Sequence, residues 1–313
     1  MNLKLIQKPV ADTLIQTDQI LKNAVGNNAG FVKEVAGFIP VTKGKKIRST
    51  LLFLLLGMSD KKFELSPTIA ASVELFHISS LIHDDILDSA EQRRGATTLN
   101  HNFGNLISVL GGDFLFISSL ELMNSLADKN FLSILISSTK KMIEGQLLEI
   151  QNNFNFDSKE KIYMEIIEKK TSALFAGVTM MASHIIDGSE ESLKEYYEFG
   201  INFGNIFQLS DDLLDIFSDK SGKDRFRDLQ EGKITLPYII LKERYGERIE
   251  DLFSAEDKDE LLRKIEEYDV ETEVNKRVDY YYEKCIDFVK KFKQSQYSES
   301  LFRLLDFIKK REF

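Results

Sequence analysis

Proline is scarce in this sequence. Pro9, Pro40, Pro67 and Pro237 are the only four in 313 residues, and each sits where a helix can begin or a turn can fall, so long stretches carry no breaker. Cysteine is scarcer still: Cys285 stands alone, which excludes a disulfide within the chain and fits a reducing compartment. There is no basic excess. The net charge of −9 has the wrong sign for a general nucleic-acid binder, although it leaves room for a cationic cleft. Long apolar runs are missing as well. The greasiest, Leu51 to Met58, falls well short of the ~20 residues that cross a bilayer, and the first residues lack the unbroken apolar core of a secretory signal. Together these absences predict a cytoplasmic protein with no transmembrane segment and no nucleic-acid partner.

What the sequence does contain is helix. Hydrophobic residues make up 43%, enough for a sizeable core, and they recur three and four apart. Leu75, Ile78, Ser79 and Ile82 share one face, as do Ile206, Leu209, Leu213 and Ile216. No segment alternates polar and apolar residues between hairpin turns, so no strand is predicted. Turn signals such as "VGNNAG", "RRGATTLNHNFGN", "NNFNFDSKE", "DGSEES" and "SDKSGKDRFRDLQEGK" divide the chain into roughly a dozen helices. No linker or shift in composition marks a boundary, and the fold class is read as all-α, one domain over residues 1–313. Charge thickens after Tyr245, as expected of solvated helix faces, and Ser254 with Asp257 has the form of a capping box.

Two short segments carry chemistry. "LIHDDILDSAEQRRGATT" holds Asp84, Asp85 and Asp88 ahead of Arg93 and Arg94; "SDDLLDIF" holds Asp211, Asp212 and Asp215 ahead of Lys223 and Lys233. In each cluster the first and last aspartates are four apart and stack on one helix face, with the middle one turned about 100° away. Carboxylates at that spacing repel, and at the C-terminal end of an apolar helix the dipole adds to the strain. A compensating cation is needed. Mg²⁺ is the natural candidate, a hard ion that bridges one or two carboxylates to substrate phosphates. A single cluster could be a solvated helix end, but two copies, each followed by basic residues, argue for a site. A diphosphate suits both halves, because it can hold metal on one side and guanidinium forks on the other. A third basic group, Lys43, Lys45, Lys46 and Arg48, precedes a very apolar helix. Cations there oppose the helix dipole, a conflict that a bound anion would remove.

At this point the chain resembles the trans-polyprenyl diphosphate synthase family, from near its first residue to its last. Two DDxxD motifs match the aspartate clusters. The GGKRxRP pattern appears as "KGKKIRS", keeping Gly44, Lys45 and Arg48, and RRGxPT appears as "RRGATT". "GGDFL" (Gly111 to Leu115), "GQLLE" (Gly145 to Glu149), Lys170–Thr171, "FQLSDD" from Phe207 and the GKxxxxDLxEGKxTLP stretch from Gly222 follow in order. The resemblance implies an antiparallel helical bundle around a deep central cavity, working as a homodimer. It implies that the six aspartates hold Mg²⁺, about three ions with substrate bound. Catalysis falls to Asp84, Asp88 and Asp211 with Arg93 and Lys170. Arg93, Lys170, Thr171, Gln208, Lys223 and Lys233 hold the diphosphate of an allylic substrate, and Lys45, Arg48, His77 and Arg94 hold isopentenyl diphosphate. The sequence departs from the pattern at Lys43 and Phe226 in place of glycines and at Ser49 and Thr97 in place of prolines. Phe226 bears on loop closure if that position needs positive φ.

The implied reaction is ionisation of the allylic diphosphate followed by attack from isopentenyl diphosphate, with no nucleophilic side chain required. Product length is expected to follow from the helix beneath Asp84. At about 1.5 Å per residue, Ser79 and Ser80 lie about one turn down, where short-chain relatives often carry an aromatic plug, and Phe76 lies about 12 Å down. Small side chains there predict a long product of about six to nine isoprene units, the size of a quinone side chain, with transient membrane contact on release. The alternatives are a farnesyl or geranylgeranyl diphosphate synthase, a class I terpene cyclase, a non-catalytic subunit, and a catalytic subunit that needs a small partner.

Overall fold

A computed structural model describes residues 2–26, 29–61, 64–93, 95–217, 225–246 and 258–310. Arg94, Lys223, Ser254 and Asp257 lie outside the described residues. The helices, in chain order, are α1 (Leu3–Ile6), α2 (Ala11–Gly26), α3 (Gly30–Phe38), α4 (Ile47–Met58), α5 (Ser66–Leu87), α6 (Leu99–Asn124), α7 (Lys129–Asn152), α8 (Glu160–Ile167), α9 (Ala173–Ile186), α10 (Glu190–Phe217), α11 (Arg227–Gln230), α12 (Leu236–Tyr245), α13 (Lys258–Glu267), α14 (Val270–Val289) and α15 (Gln296–Lys310). A π-helical turn, Glu168–Ser172, joins α8 to α9. Pro67 and Pro237 occupy the first turns of α5 and α12, where a missing N–H costs nothing. Among the described residues the one departure from all-helix is a hairpin of β1 (Gln92–Arg93) and β2 (Ala96–Thr97). Two residues per arm are too few for alternation to register in sequence.

The apolar run that looked greasiest is the centre of the molecule. In α4 every residue except Gly57 is buried, as expected of a helix that is hydrophobic all round. It packs against α5, α9 and α15, while α5 lies along α6 and α10 along α9 and α14. Glycine brings α10 unusually close to its neighbours. A Cβ on Gly200 would meet Ala176 Cα at 2.4 Å, and one on Gly204 would meet Ser172 Cα at 2.4 Å. That approach sets the end of α10, with its aspartates, beside Lys170 and Thr171 in the π turn.

The expectation that long apolar runs are missing meets one exception among the described residues, and a single such helix is weak evidence for a membrane span. α6 is 26 residues long and is apolar enough, by length and composition, to cross a membrane. The turn signal running through Asn105 concealed it: the helix already begins at Leu99, capped by Thr98, and passes through a kink at Gly104 (φ 78°). One side of α6 packs on α5. Another leaves Leu106, Leu110 and Ile117 exposed, and α7 likewise exposes Ile136, Ile143, Leu147 and Ile150. In both helices these residues fall at heptad-like spacing, the seam expected of a helix that meets another helix.

Candidate active site

Two adjoining cavities lie where α5 and α10 end. The smaller, about 190 Å³, is lined by Asp84, Asp88, Glu149, Asp212 and Asp228 with Arg93, Lys170 and Lys233, so five carboxylates face three cations. Thr171 and Gln208 complete its polar wall. The larger, about 930 Å³, has the opposite balance: Lys43, Lys45, Lys46, Arg48 and Arg93 face Glu74, Asp85 and Asp211, five cations to three carboxylates, with His77 beside them. Leu81 and Arg93 line both.

The first aspartate cluster divides as its spacing predicts. Asp84 and Asp88 share the smaller cavity, and Asp85, turned away, accepts Arg93 Nε at 2.6 Å. The second cluster does not follow the same rule. Its middle member, Asp212, faces the smaller cavity, whereas Asp211 lines the larger one. Asp215 is engaged by backbone: it accepts the N–H of Arg227 at 3.0 Å and of Asp228 at 3.3 Å, capping the first turn of α11. The reason is rotational. Each helix presents whichever residues its packing turns inward, and α10 is fixed by the glycine contacts rather than by its aspartates.

Burial dominates the electrostatics. It raises Asp84 above the usual carboxylate range, opposed by Lys170 and assisted by Asp88. It raises Asp85 against the pull of Arg93, and Asp215 against its two backbone donors. Asp212 is pushed far up by burial and then by Asp228. Asp228 itself reaches about 7 through burial and Asp215, with Lys233 opposing. The cations are latched onto the same groups. Lys233 Nζ lies 3.2 Å from Asp88 Oδ1 and 2.5 Å from Glu231 Oε2; burial would lower its pKa, but Glu231, Glu149 and Asp88 together hold it above the ordinary lysine value. Lys170 pairs with Glu149. Among the described residues no three His, Cys, Asp or Glu side chains gather into a ready-made ion cage.

In the larger cavity, Arg48 is buried with its guanidinium 4.5 Å from the centre of the Phe175 ring, and Lys45 lies over Phe307. The conflict between cations and the dipole of α4 is partly settled from within the chain. Lys46 pairs with Asp18, and buried Glu74 accepts Ser49 Oγ at 2.6 Å and Ser49 N–H at 3.3 Å. Ser49 stands where the resembled pattern has proline, which would supply neither donor.

Sequence reasoning did not single out Glu74, Glu149, Tyr163, Asp228 or Glu231. Glu149, Asp228 and Glu231 were in view, inside "GQLLE" and "DLQEGK", but nothing in those motifs says which residue points inward. The expected passage beneath Asp84 is also revised. Ser79 lines neither cavity; its hydroxyl donates to Gly112 O on α6 at 2.8 Å, and Ser80 bonds back to His77 O. Phe76 is buried edge-on against Phe116, ring centres 5.8 Å apart. Leu81 is the α5 side chain that both cavities meet.

The polyprenyl synthetase family pattern matches residues 31–268. The octaprenyl diphosphate synthase of Escherichia coli K12 is 32% identical over 241 residues, covering 76% of this chain and 75% of that protein. The chain belongs to this family. It is a prenyltransferase. A short-chain isoprenyl diphosphate synthase of Methanothermobacter thermautotrophicus is 36% identical over 211 residues, 66% of this chain and 65% of that one. In three dimensions the fold superposes on a crystal structure of a decaprenyl diphosphate synthase from Rhodobacter capsulatus with a TM-score of 0.91 at 23% identity, covering 99% of each chain.

Phe226, where the family pattern has glycine, adopts φ 61°, ψ 32° and is nonetheless buried. Its ring pins the N-terminus of α11 to the core, while its N–H donates to Asp215 O at 3.0 Å. Left-handed backbone at a bulky residue costs about 1 kcal/mol or more, and deleting a buried phenyl ring costs about 3–5 kcal/mol. Both Phe226→Ala and Phe226→Gly are therefore expected to be less stable than wild type, with the glycine variant about 1 kcal/mol the more stable of the two. Denaturant melts check this, and the usual order of alanine above glycine would contradict it.

Asp228 generates a pH prediction. Its folded pKa of about 7 exceeds that of an unfolded aspartate, about 3.9. Between those values the unfolded chain releases the proton first, so this group lowers the stability of metal-free protein as pH rises. Asp228→Asn removes the effect. The melting temperature of the variant relative to wild type should climb from pH 5 to pH 8, and a constant difference would refute it.

Proposed function

We propose that the protein joins isopentenyl diphosphate to an allylic diphosphate, making an all-trans polyprenyl diphosphate. One observation carries this reading: an acid-rich cavity and a base-rich cavity share a wall at Leu81 and Arg93. Two diphosphates that must react with each other need two adjacent sites. The acid-rich one suits a diphosphate that arrives with metal, and the base-rich one suits a diphosphate held by side chains alone.

The donor set of the smaller cavity fits Mg²⁺. Its candidate ligands are carboxylates only, with no thiol or imidazole, a donor set suited to an ion that takes one or two carboxylates and completes its shell with water and phosphate. Asp84, Asp88 and Asp212 would hold it there, with Asp85, Asp211 and Asp215 as the remaining members of the two motifs. Bound Mg²⁺ supplies charge stabilisation to the departing diphosphate. Lys170, Lys233 and Arg93 would exchange their carboxylate partners for phosphate oxygens, joined by Lys223, while Thr171 and Gln208 flank them. This concentrates fixed positive charge where negative charge develops. Lys45, Arg48, His77 and Arg94 would orient isopentenyl diphosphate with its double bond toward the allylic carbon. The same basic group favours a synthase over a terpene cyclase, which needs no second diphosphate site.

The long-chain reading, about six to nine isoprene units, draws on the similarity to an octaprenyl diphosphate synthase and not on Ser79 and Ser80, which are turned to α6 and to His77 rather than into either cavity. A shorter product is favoured by the Phe76–Phe116 contact, about 12 Å below Asp84 on the α5 rise, and by the similarity to a short-chain enzyme. Incubation with Mg²⁺, labelled isopentenyl diphosphate and farnesyl diphosphate, followed by sizing of the dephosphorylated products, decides both points. Chain growth is expected, and a cyclic hydrocarbon or no elongation would defeat the assignment.

The working unit is proposed to be a cytoplasmic homodimer that meets membrane only as product leaves. The outward residues of α6 and α7 support a helix-to-helix seam between two copies. Leu110→Asp combined with Leu147→Asp should halve the mass measured by light scattering. A dimer that persists in this variant would exclude the seam.

A further inference from the structure

The smaller cavity contains a hydrogen-bonded relay that ends on one carboxylate. Tyr163, on α8, is buried in the core, and its hydroxyl donates to Asp212 Oδ2 at 2.5 Å. Gln208, one turn before Asp212 on α10, donates from Nε2 to Oδ1 at 2.9 Å. Thr171, in the π turn, donates its hydroxyl to Gln208 Oε1 at 2.7 Å. Each oxygen of Asp212 thus carries one donor from inside the protein.

Two donors on opposite oxygens fix the plane of a carboxylate that would otherwise rotate about its last torsion. Each oxygen keeps further acceptor capacity, and Asp212 lines the cavity together with Asp84 and Asp88. Only 1% of Asp212 is exposed, so solvent does not supply the second donor if Tyr163 is removed. A buried carboxylate kept for packing alone would be replaceable by an apolar residue at little cost; one aimed into a cavity by a dedicated hydroxyl is arranged to meet a ligand. The π turn contributes as well. An extra residue in the turn shifts the side chains that follow, and Thr171 lies within it, so the relay links α8, the turn and α10.

We propose that Tyr163 is a positioning residue for the prenyl transfer, holding the Asp212 carboxylate toward the metal and diphosphate that the smaller cavity takes up. This rests on reading that cavity as a metal–diphosphate site. Thr171 and Gln208, which the family resemblance assigns to the substrate, serve Asp212 in the ligand-free protein.

Calorimetric titration with inorganic pyrophosphate and Mg²⁺ tests the inference without turnover. Tyr163→Phe keeps the ring and its packing but leaves a buried oxygen of Asp212 one donor short, so the ligand-free protein should still melt cooperatively, at a lower temperature than wild type. Its affinity for magnesium pyrophosphate should fall about tenfold, the scale expected when a ligand's outer-shell partner is lost. In turnover, the Mg²⁺ concentration at half-maximal rate should rise by a similar factor, while the KM for isopentenyl diphosphate stays constant at saturating Mg²⁺. A double-mutant cycle guards against a general packing defect. Combined with Asp212→Asn, the tyrosine substitution should add almost nothing to the loss. Unchanged affinity in Tyr163→Phe, or fully additive losses in the cycle, would overturn the role of Tyr163 alone. Wild-type protein that takes up no magnesium pyrophosphate would overturn the reading of the cavity, and this inference with it.

Discussion

An excess of carboxylate over cation in a confined, mostly buried space is the constraint around which this molecule is arranged. Asp84, Asp88, Glu149, Asp212 and Asp228 converge on one small cavity, and burial pushes Asp84, Asp212 and Asp228 toward the protonated form. Such a cluster is tolerated because α10 and α5 are buried and anchored far from it. The core built on α4 and the close glycine contacts at Gly200 and Gly204 supply the stability that the cavity lacks.

The same excess explains why each cation of the smaller cavity already has a carboxylate partner. Lys233 with Asp88 and Glu231, Lys170 with Glu149, and Arg93 with Asp85 hold the ligand-free site together. Under the proposed function a metal-bound diphosphate would substitute for these partners pair by pair, with metal on the carboxylates and phosphate on the cations. On that reading, the side chains that would bind substrate and those that keep the free site intact are largely the same set. The larger cavity, with cations in excess, would need no metal for a diphosphate of its own. Opposite charge balances on two sides of Leu81 and Arg93 would give two diphosphate substrates distinct addresses.

Much of this was legible in the sequence, for a physical reason in each case. Few prolines and apolar residues three and four apart state helix directly. Repeated aspartates at a four-residue spacing, each ahead of basic residues, state an unpaired charge that needs a partner. Asp84 and Asp88 line the smaller cavity and Lys45, Arg48 and His77 the larger because their motifs sit on α5 and at the start of α4, where the direction of burial is clear. The reading was less complete where the local pattern was ambiguous. α6 looked like a loop at its start because Asn and Gly crowd its first turns, and the hairpin after Arg93 was too short to leave a pattern.

The sequence by itself determined the helices, the two acidic helix ends, the basic segments and the family, since all of these are written in spacing along one chain. Tertiary structure alone decided that Asp212 rather than Asp211 lines the smaller cavity with Asp84, that Asp215 caps α11, that Ser79 bonds to α6, and that Tyr163 reaches Asp212. Each depends on how far one helix is rotated and slid against another. Periodicity gives the angle between residues on a single helix, but only the packing of several helices fixes where that angle starts.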